Sequence, residues 1–226
     1  MIITPKQVVR FARLYFPFID YANNQLQMRK NIYYRNGNPN ADKAYVVARA
    51  VWADRRNSSL AGDYARDNPH GLSPTDLREI AQWEHALAGV FLVQRQDRDM
   101  LFSLPGVAIA VRGHAKEIDD VIPCEFPTLM DAILLPFENV VVFPFVIDTV
   151  DERKRFGSAP VPLVEVEAIT DKSRIIRSAR DFVKHADSLQ AIIPQDEKYL
   201  FRENRSGLGI LRRGRKRGRG SSPKTT

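Results

Sequence analysis

The sequence of 226 residues contains a single cysteine, Cys124. No intramolecular disulfide can form, and no Cys-x-x-Cys zinc site exists. That usage suits a reducing compartment. Long hydrophobic runs are missing too. Apolar stretches such as VAIAV and AILLPF fall far short of the roughly 20 residues that a spanning helix needs. The first residues, MIITPKQVVRFARLYFPFI, share the basic, acid-poor character of a transit peptide up to Asp20. Lys6, Arg10 and Arg13 interrupt the stretch, so it has no secretory apolar core and reads as an amphipathic first helix. The expectation is a cytoplasmic protein with no membrane span.

Catalytic signatures are also missing. There is no GxSxG, no P-loop and no GxGxxG following a strand. Gly207-Leu208-Gly209 precedes no helix and lacks phosphate-loop spacing. Glu84-His85 lacks the second histidine of a HExxH zinc site. Asp97-Arg98-Asp99 has two acids two apart but no third ligand nearby, and reads as a hairpin turn. His114 with Lys116 and Glu117, and Cys124 with Asp119 and Asp120, form the one Cys-His combination. Nucleophilic catalysis needs hydrogen-bond reach and an oxyanion hole, and proximity in sequence supplies neither. The sequence therefore assigns no catalytic residue, no metal ligand and no cofactor.

What is present is an ordinary globular composition, with 44% apolar and 27% charged residues and a mean hydropathy of -0.32. The net charge of +7 is unevenly placed. Between Arg202 and Lys224 stand nine Lys and Arg and one acid, Glu203, giving +8. The remainder has 25 bases and 26 acids, giving -1. The basic character belongs to the C-terminal segment, and any polyanion contact must begin there.

Helix signals dominate the first 88 residues. Thr4-Pro5-Lys6-Gln7 is a capping box with proline at the first helical position. Val8, Ala12, Tyr15, Ile19, Ala22 and Leu26 follow at helical spacing, and Pro17 predicts a kink or break near Tyr15 or Phe16. RNGNPN is a turn, and Asn38-Pro39 opens a second helix to about Arg56, with Ala44, Val47, Ala48 and Val51 on its apolar side. A short helix spans Leu60 to Arg66. Ser73-Pro74-Thr75-Asp76 caps another, with Leu77, Ile80, Ala81, Trp83, Ala86 and Leu87 running to Gly89.

Strand patterns follow Gly89: GVFLV, MLFSL and GVAIAVR, then TLMDAILL and NVVVFPFVI joined by PFEN. The last two read as an antiparallel hairpin, with Pro144 at an edge or bend. LVEVEAI alternates like a strand. Asp171 to Asp187 reads as a helix burying Ile175, Ile176, Ala179, Phe182, Val183 and Ala186, with Arg174, Arg177, Arg180 and Lys184 on its other side. The fold class expected is α+β: N-terminal helices, a small antiparallel sheet or barrel, a closing helix and a disordered basic tail. One domain would span 1–200, with a helical part at 1–88, a β part at 89–150, and a connection and closing helix at 151–200. The Arg/Gly-rich tail would span 201–226.

The stretch DNPHGLSPTDLREIAQWEHALAGVFLVQRQDRDMLF resembles an uncharacterised family of bacterial α+β proteins. The shared pieces are Tyr21 to Asn24, Asn68-Pro69, Leu72-Ser73, Trp83, Gly89-Val90-Phe91, Leu134-Leu135-Pro136-Phe137, Phe156-Gly157 and the helix Ile175 to Ala186. They cover roughly residues 8 to 190. The resemblance implies a shared fold and a bacterial, cytoplasmic setting. It implies no activity, and the basic tail lies outside it.

Trp83, Phe91, Phe102, Phe126, Phe137, Phe143 and Phe145 are expected in the core rather than as base-stacking residues. The segment RRGRKRGRG joins forkable arginines through glycines that let the backbone approach phosphate closely. It lacks the Gly-Arg-Pro centre of an AT-hook and the phenylalanines of RGG segments. The candidate nucleic-acid contacts are Arg212, Arg213, Arg215, Lys216, Arg217 and Arg219, with Arg174, Arg177, Arg180 and Lys184 as secondary contacts. The expected function is a non-catalytic binding or adaptor protein touching DNA or RNA through the tail. Two alternatives stay open: a small enzyme whose site forms only in the fold, and a module for a protein partner with an incidental tail.

Overall fold

Thr4 opens the first helix as its sequence predicts. The computed structural model describes residues 2–29, 31–97, 99–113, 126–145, 148–149, 169 and 171–193. Gln7 Nα donates to the Thr4 hydroxyl at 3.3 Å, and Thr4 Nα donates to the Gln7 amide oxygen at 2.8 Å. Helix α1 runs Pro5–Leu26 and passes through Pro17 without a break. Proline removes a helical hydrogen bond at a cost of about 3 kcal/mol. Here the helix buries Phe11, Leu14 and Tyr15 before Pro17 and Phe18, Ile19 and Ala22 after it. Burial of side chains this large contributes about 1.5–3 kcal/mol each, which outweighs the lost bond. The buried stripe is centred on Phe11 and Phe18 rather than on Val8, Ala12 and Leu26.

Four further helices follow: α2 Ala41–Ala53, the single turn α3 Arg55–Ser58, α4 Leu60–Asp67 and α5 Pro74–Ala81. Asn40 caps α2, and Ser73 caps α5 by accepting from Asp76 Nα at 3.2 Å. The α5 pattern does not run on to Gly89 as one helix. It tightens to a 3-10 turn at Gln82–His85, which drops Trp83 fully into the core.

The strands close on themselves. They are β1 Leu87–Gln96, β2 Asp99–Leu104, β3 Val107–Arg112, β4 Thr128–Phe137, β5 Val140–Val142, β6 Asp148–Thr149 and β7 Ile175–Ile176. β1 pairs antiparallel with β2 on one edge and with β4 on the other. β2 pairs with β3, β3 with β5, and β5 with β4, so the ring β1-β2-β3-β5-β4 returns to β1 as a small barrel. The β4–β5 hairpin is antiparallel as expected, and the pairing Gln96↔Asp99 makes β1 and β2 an antiparallel hairpin, with Asp97 at a φ of 54°. Two pairings are parallel, β3 with β5 and β3 with β7. Closure removes open edges from the ring strands.

Alternation along the strands sends Leu87, Phe91, Val93, Met100, Phe102, Ile109, Val111, Met130 and Leu134 into one buried cluster. The closing helix, α6, spans Ala179–Ile192 and adds Phe182, Leu189 and Ile193 to that cluster. It begins later than the sequence pattern predicts. Asp171 instead caps a 3-10 turn, Lys172–Arg174, and Ile175–Ile176 forms β7 on the barrel. The β-branched isoleucine pair favours the extended state, and Ser178 supplies the true helix cap. On the outside, α2 packs on β1 and β4. There the Tyr45 hydroxyl donates to the Asp131 carbonyl at 3.1 Å and Arg49 pairs with the Asp131 carboxylate at 2.9 Å. Most of LVEVEAI lies outside the described residues, and its last residue, Ile169, is buried.

Candidate functional site

The four secondary cations divide into two pairs. Arg174 donates from Nε to the Gly106 carbonyl at 2.8 Å, and Arg177 hydrogen-bonds to Asp99, which also faces Arg112 at 3.5 Å. These two therefore fasten the β7 segment to the barrel. Arg180 and Lys184 are exposed, one helical turn apart on α6, opposite its buried face of Ala179, Phe182, Ala186 and Leu189. Neither has an ion pair among the described residues. The two nearby acids are engaged elsewhere. Asp181 accepts from the Ser178 hydroxyl at 2.7 Å, and Asp187 pairs with Arg55 at 2.6 Å. Arg55 offsets Asp187 but the serine leaves the charge of Asp181 in place, so two exposed cations stand against one uncompensated acid on this helix.

A second feature is a polar groove between α3, the 3-10 turn at Gln82–His85 and α6. Trp52, Ser58, Glu84, His85, Asp187 and Gln190 line this shallow, solvent-open depression. His85 faces Glu84 at 3.3 Å, and the Ser58 hydroxyl donates to the Arg55 carbonyl at 2.8 Å. The serine proton is thus directed to the backbone rather than to a base, and the arrangement holds no activated nucleophile. No group of three His, Cys, Asp or Glu side chains suited to a metal occurs among the described residues.

The third feature joins residues far apart in sequence. Arg10 donates to Asp76 Oδ1 at 3.1 and 3.0 Å and to Glu138 Oε1 at 2.8 Å. Its guanidinium lies 5.6 Å from the centre of the Phe137 ring. Arg13 reaches Asp76 Oδ2 at 2.8 Å, and Glu138 Nα donates to Glu79 Oε1 at 2.8 Å. Burial pushes the Asp76 carboxyl up, but hydrogen bonds from Arg10 and Ser73 and the charges of Arg13 and Arg10 outweigh it and hold Asp76 below the ordinary range. Burial raises Glu79 despite the Glu138 amide and Arg10. Two carboxyls driven apart in this way resemble an acid-base pair. Their acceptors, however, are filled by groups that tie α1, α5 and the β4–β5 turn together, so the cluster acts as a clasp.

The sequence flagged only the cap at Ser73 and Asp76. Arg10 and Glu138 are 128 residues apart, and no local pattern links them. Trp83, Phe91, Phe102, Phe137 and Phe143 are buried as expected, whereas Phe126 and Phe145 are only half-buried. Arg212, Arg213, Arg215, Lys216, Arg217 and Arg219 lie outside the described residues, as do His114, Asp119, Asp120 and Cys124. No helix among the described residues is long and apolar enough to cross a membrane. Comparison with family models, with curated proteins and with solved structures finds no match.

Proposed function

We propose that this chain is a non-catalytic binding protein that holds nucleic acid electrostatically through its C-terminal basic segment. Its setting on this reading is the bacterial cytoplasm, and its family is the one that its helix and strand junctions resemble. The observation that carries the proposal is charge segregation: +8 between Arg202 and Lys224 against -1 for all other residues. Arginines spaced by glycine fork onto phosphates without a fixed scaffold. Arg212, Arg213, Arg215, Lys216, Arg217 and Arg219 are the primary contacts. Arg180 and Lys184 are secondary contacts, because they are exposed and have no ion pair among the described residues. Arg174 and Arg177 are withdrawn from that role, since each already holds the barrel.

A direct titration tests this reading. The intact chain and a chain ended after Phe201 are each titrated into a labelled duplex at low salt. The intact chain binds and the shortened chain loses most of its affinity. Equal affinity for the two would overturn the assignment to the basic segment.

A further inference from the structure

An asparagine-rich hairpin, residues 31–40, stands between α1 and α2. Ile32 anchors it and is fully buried. Asn40 Nα donates to the Ile32 carbonyl at 2.9 Å, Tyr34 Nα to the Asn38 carbonyl at 2.8 Å, and Gly37 Nα to the Tyr34 carbonyl at 3.0 Å. Tyr33 and Pro39 pair as an antiparallel bridge. Gly37 has a φ of +81°, the left-handed region that glycine occupies at no steric cost. Asparagine side chains complete the turn: Asn31 Oδ1 accepts from Tyr33 Nα at 2.7 Å and Asn36 Oδ1 from Asn38 Nα at 3.1 Å. The hairpin is thus held from within, and its tip is free to present side chains.

The tip presents Tyr34 and Arg35. Tyr34 is 52% exposed, and neither a ring contact nor a hydrogen bond of its side chain occurs among the described residues. Arg35 is exposed beside it with no ion pair among the described residues. Between Asp20 and Asp42 the sequence holds Arg29, Lys30 and Arg35 and no acid. At the base of the hairpin, Arg29 Nε is buried without a hydrogen-bond acceptor, and Lys43 Nζ reaches the Asn31 carbonyl at 3.3 Å. The flanking acids lie toward the base: Asp20 acts on the half-buried Tyr33, and Asp42 sits in the first turn of α2. An exposed aromatic ring with a cation at its side matches what an unpaired base and its phosphate require.

We propose that this hairpin is a stacking finger for single-stranded nucleic acid, with Tyr34 taking a base on its ring and Arg35 an adjacent phosphate. The inference rests on the nucleic-acid reading above and adds to it a contact in the folded part that selects single strands. Bases in a duplex are already stacked and offer no free face to Tyr34. The basic segment, by contrast, serves either form.

The test uses the full chain, Tyr34→Ala, Tyr34→Trp, Arg35→Ala and the chain ended after Phe201. Each is titrated by fluorescence anisotropy with a labelled oligothymidine and with a labelled duplex of equal length. Tyr34→Ala weakens oligothymidine binding about tenfold, leaves duplex binding unchanged and does not shift the melting midpoint. Tyr34→Trp keeps the affinity, and its added indole is quenched by the oligonucleotide. Arg35→Ala lowers the salt slope on oligothymidine by about 0.7. Wild-type oligothymidine affinity in Tyr34→Ala, or equal losses on the two probes, overturns the finger and leaves the basic segment standing. Full duplex binding by the shortened chain, with a Tyr34-sensitive oligothymidine contact, overturns the basic segment and supports the finger. Failure of the full chain to bind either probe overturns both.

Discussion

Trp52 donates its indole N–H to the main-chain carbonyl of Trp83 at 2.8 Å, and Trp83 donates its own to the carbonyl of Pro136 at 3.0 Å. This relay passes from α2 through the 3-10 turn to β4. It lets two fully buried indoles keep their polar atoms satisfied. Phe11 and Phe18 each stand 5.7 Å from the Trp83 ring and fix it from the α1 side.

Replacing Trp83 by alanine is expected to cost about 3–5 kcal/mol, through lost packing and a cavity. Trp83→Phe keeps most of the ring but removes the donor to Pro136, and is expected to cost about 1–3 kcal/mol. Urea unfolding of both variants measures this. An unchanged midpoint in Trp83→Ala would remove Trp83 from the core.

Gly89 and Ile193 bring β1 and the end of α6 together. A Cβ on Gly89 would stand 2.6 Å from Ile193 Cγ2, closer than real carbon atoms approach. Gly89→Ala is therefore expected to destabilise by about 1–3 kcal/mol. Ile193→Ala removes the clashing methyl, so the double variant should cost less than the two single costs added. Strict additivity in thermal melts would show that α6 does not press on Gly89.

Asp76 and Glu79 are predicted to respond oppositely to neutralisation. Asp76 is held below its ordinary value, so its contribution is full at neutral pH and is lost as pH falls through its folded-state value. Glu79 is raised by burial, so its ionisation weakens the fold as pH rises from the ordinary glutamate range through its folded-state value. At neutral pH, Asp76→Asn should cost about 1–3 kcal/mol, because two guanidinium partners lose their charge-assisted bonds. Glu79→Gln keeps an oxygen for the Glu138 amide and should be as stable as the parent or more so. Melting midpoints at neutral and mildly acidic pH check both, and the gap between Asp76→Asn and the parent should narrow in acid.

Much of the fold is legible where the signal is local. Thr4 and Ser73 cap the helices they promise, and the strand alternation after Gly89 yields the buried face of the barrel. Signals fail where distant contacts decide. Pro17 reads as a breaker, but burial on both of its sides carries α1 through. Ile175 and Ile176 fit a helical stripe, yet β3 offers them a strand to pair with. The parallel pairing of β3 with β5 joins segments about 30 residues apart, which no alternation encodes. At the cation row, spacing selects Arg174, Arg177, Arg180 and Lys184 together. Only packing separates the two that bind Gly106 and Asp99 from the two that have no ion pair among the described residues.

The central claim is that duplex affinity resides chiefly in the charge of the C-terminal segment, not in the nearly neutral remainder. The most direct measurement is the salt dependence of duplex affinity for the intact chain, for the chain ended after Phe201, and for Arg180→Ala with Lys184→Ala. If about four charges pair with phosphates at once, the log-log slope for the intact chain is near -3.5. The two α6 substitutions should shallow that slope less than loss of the segment does, and loss of the segment should remove most of the affinity without moving the melting midpoint. A shortened chain that binds with the same affinity and slope as the intact one would contradict the claim.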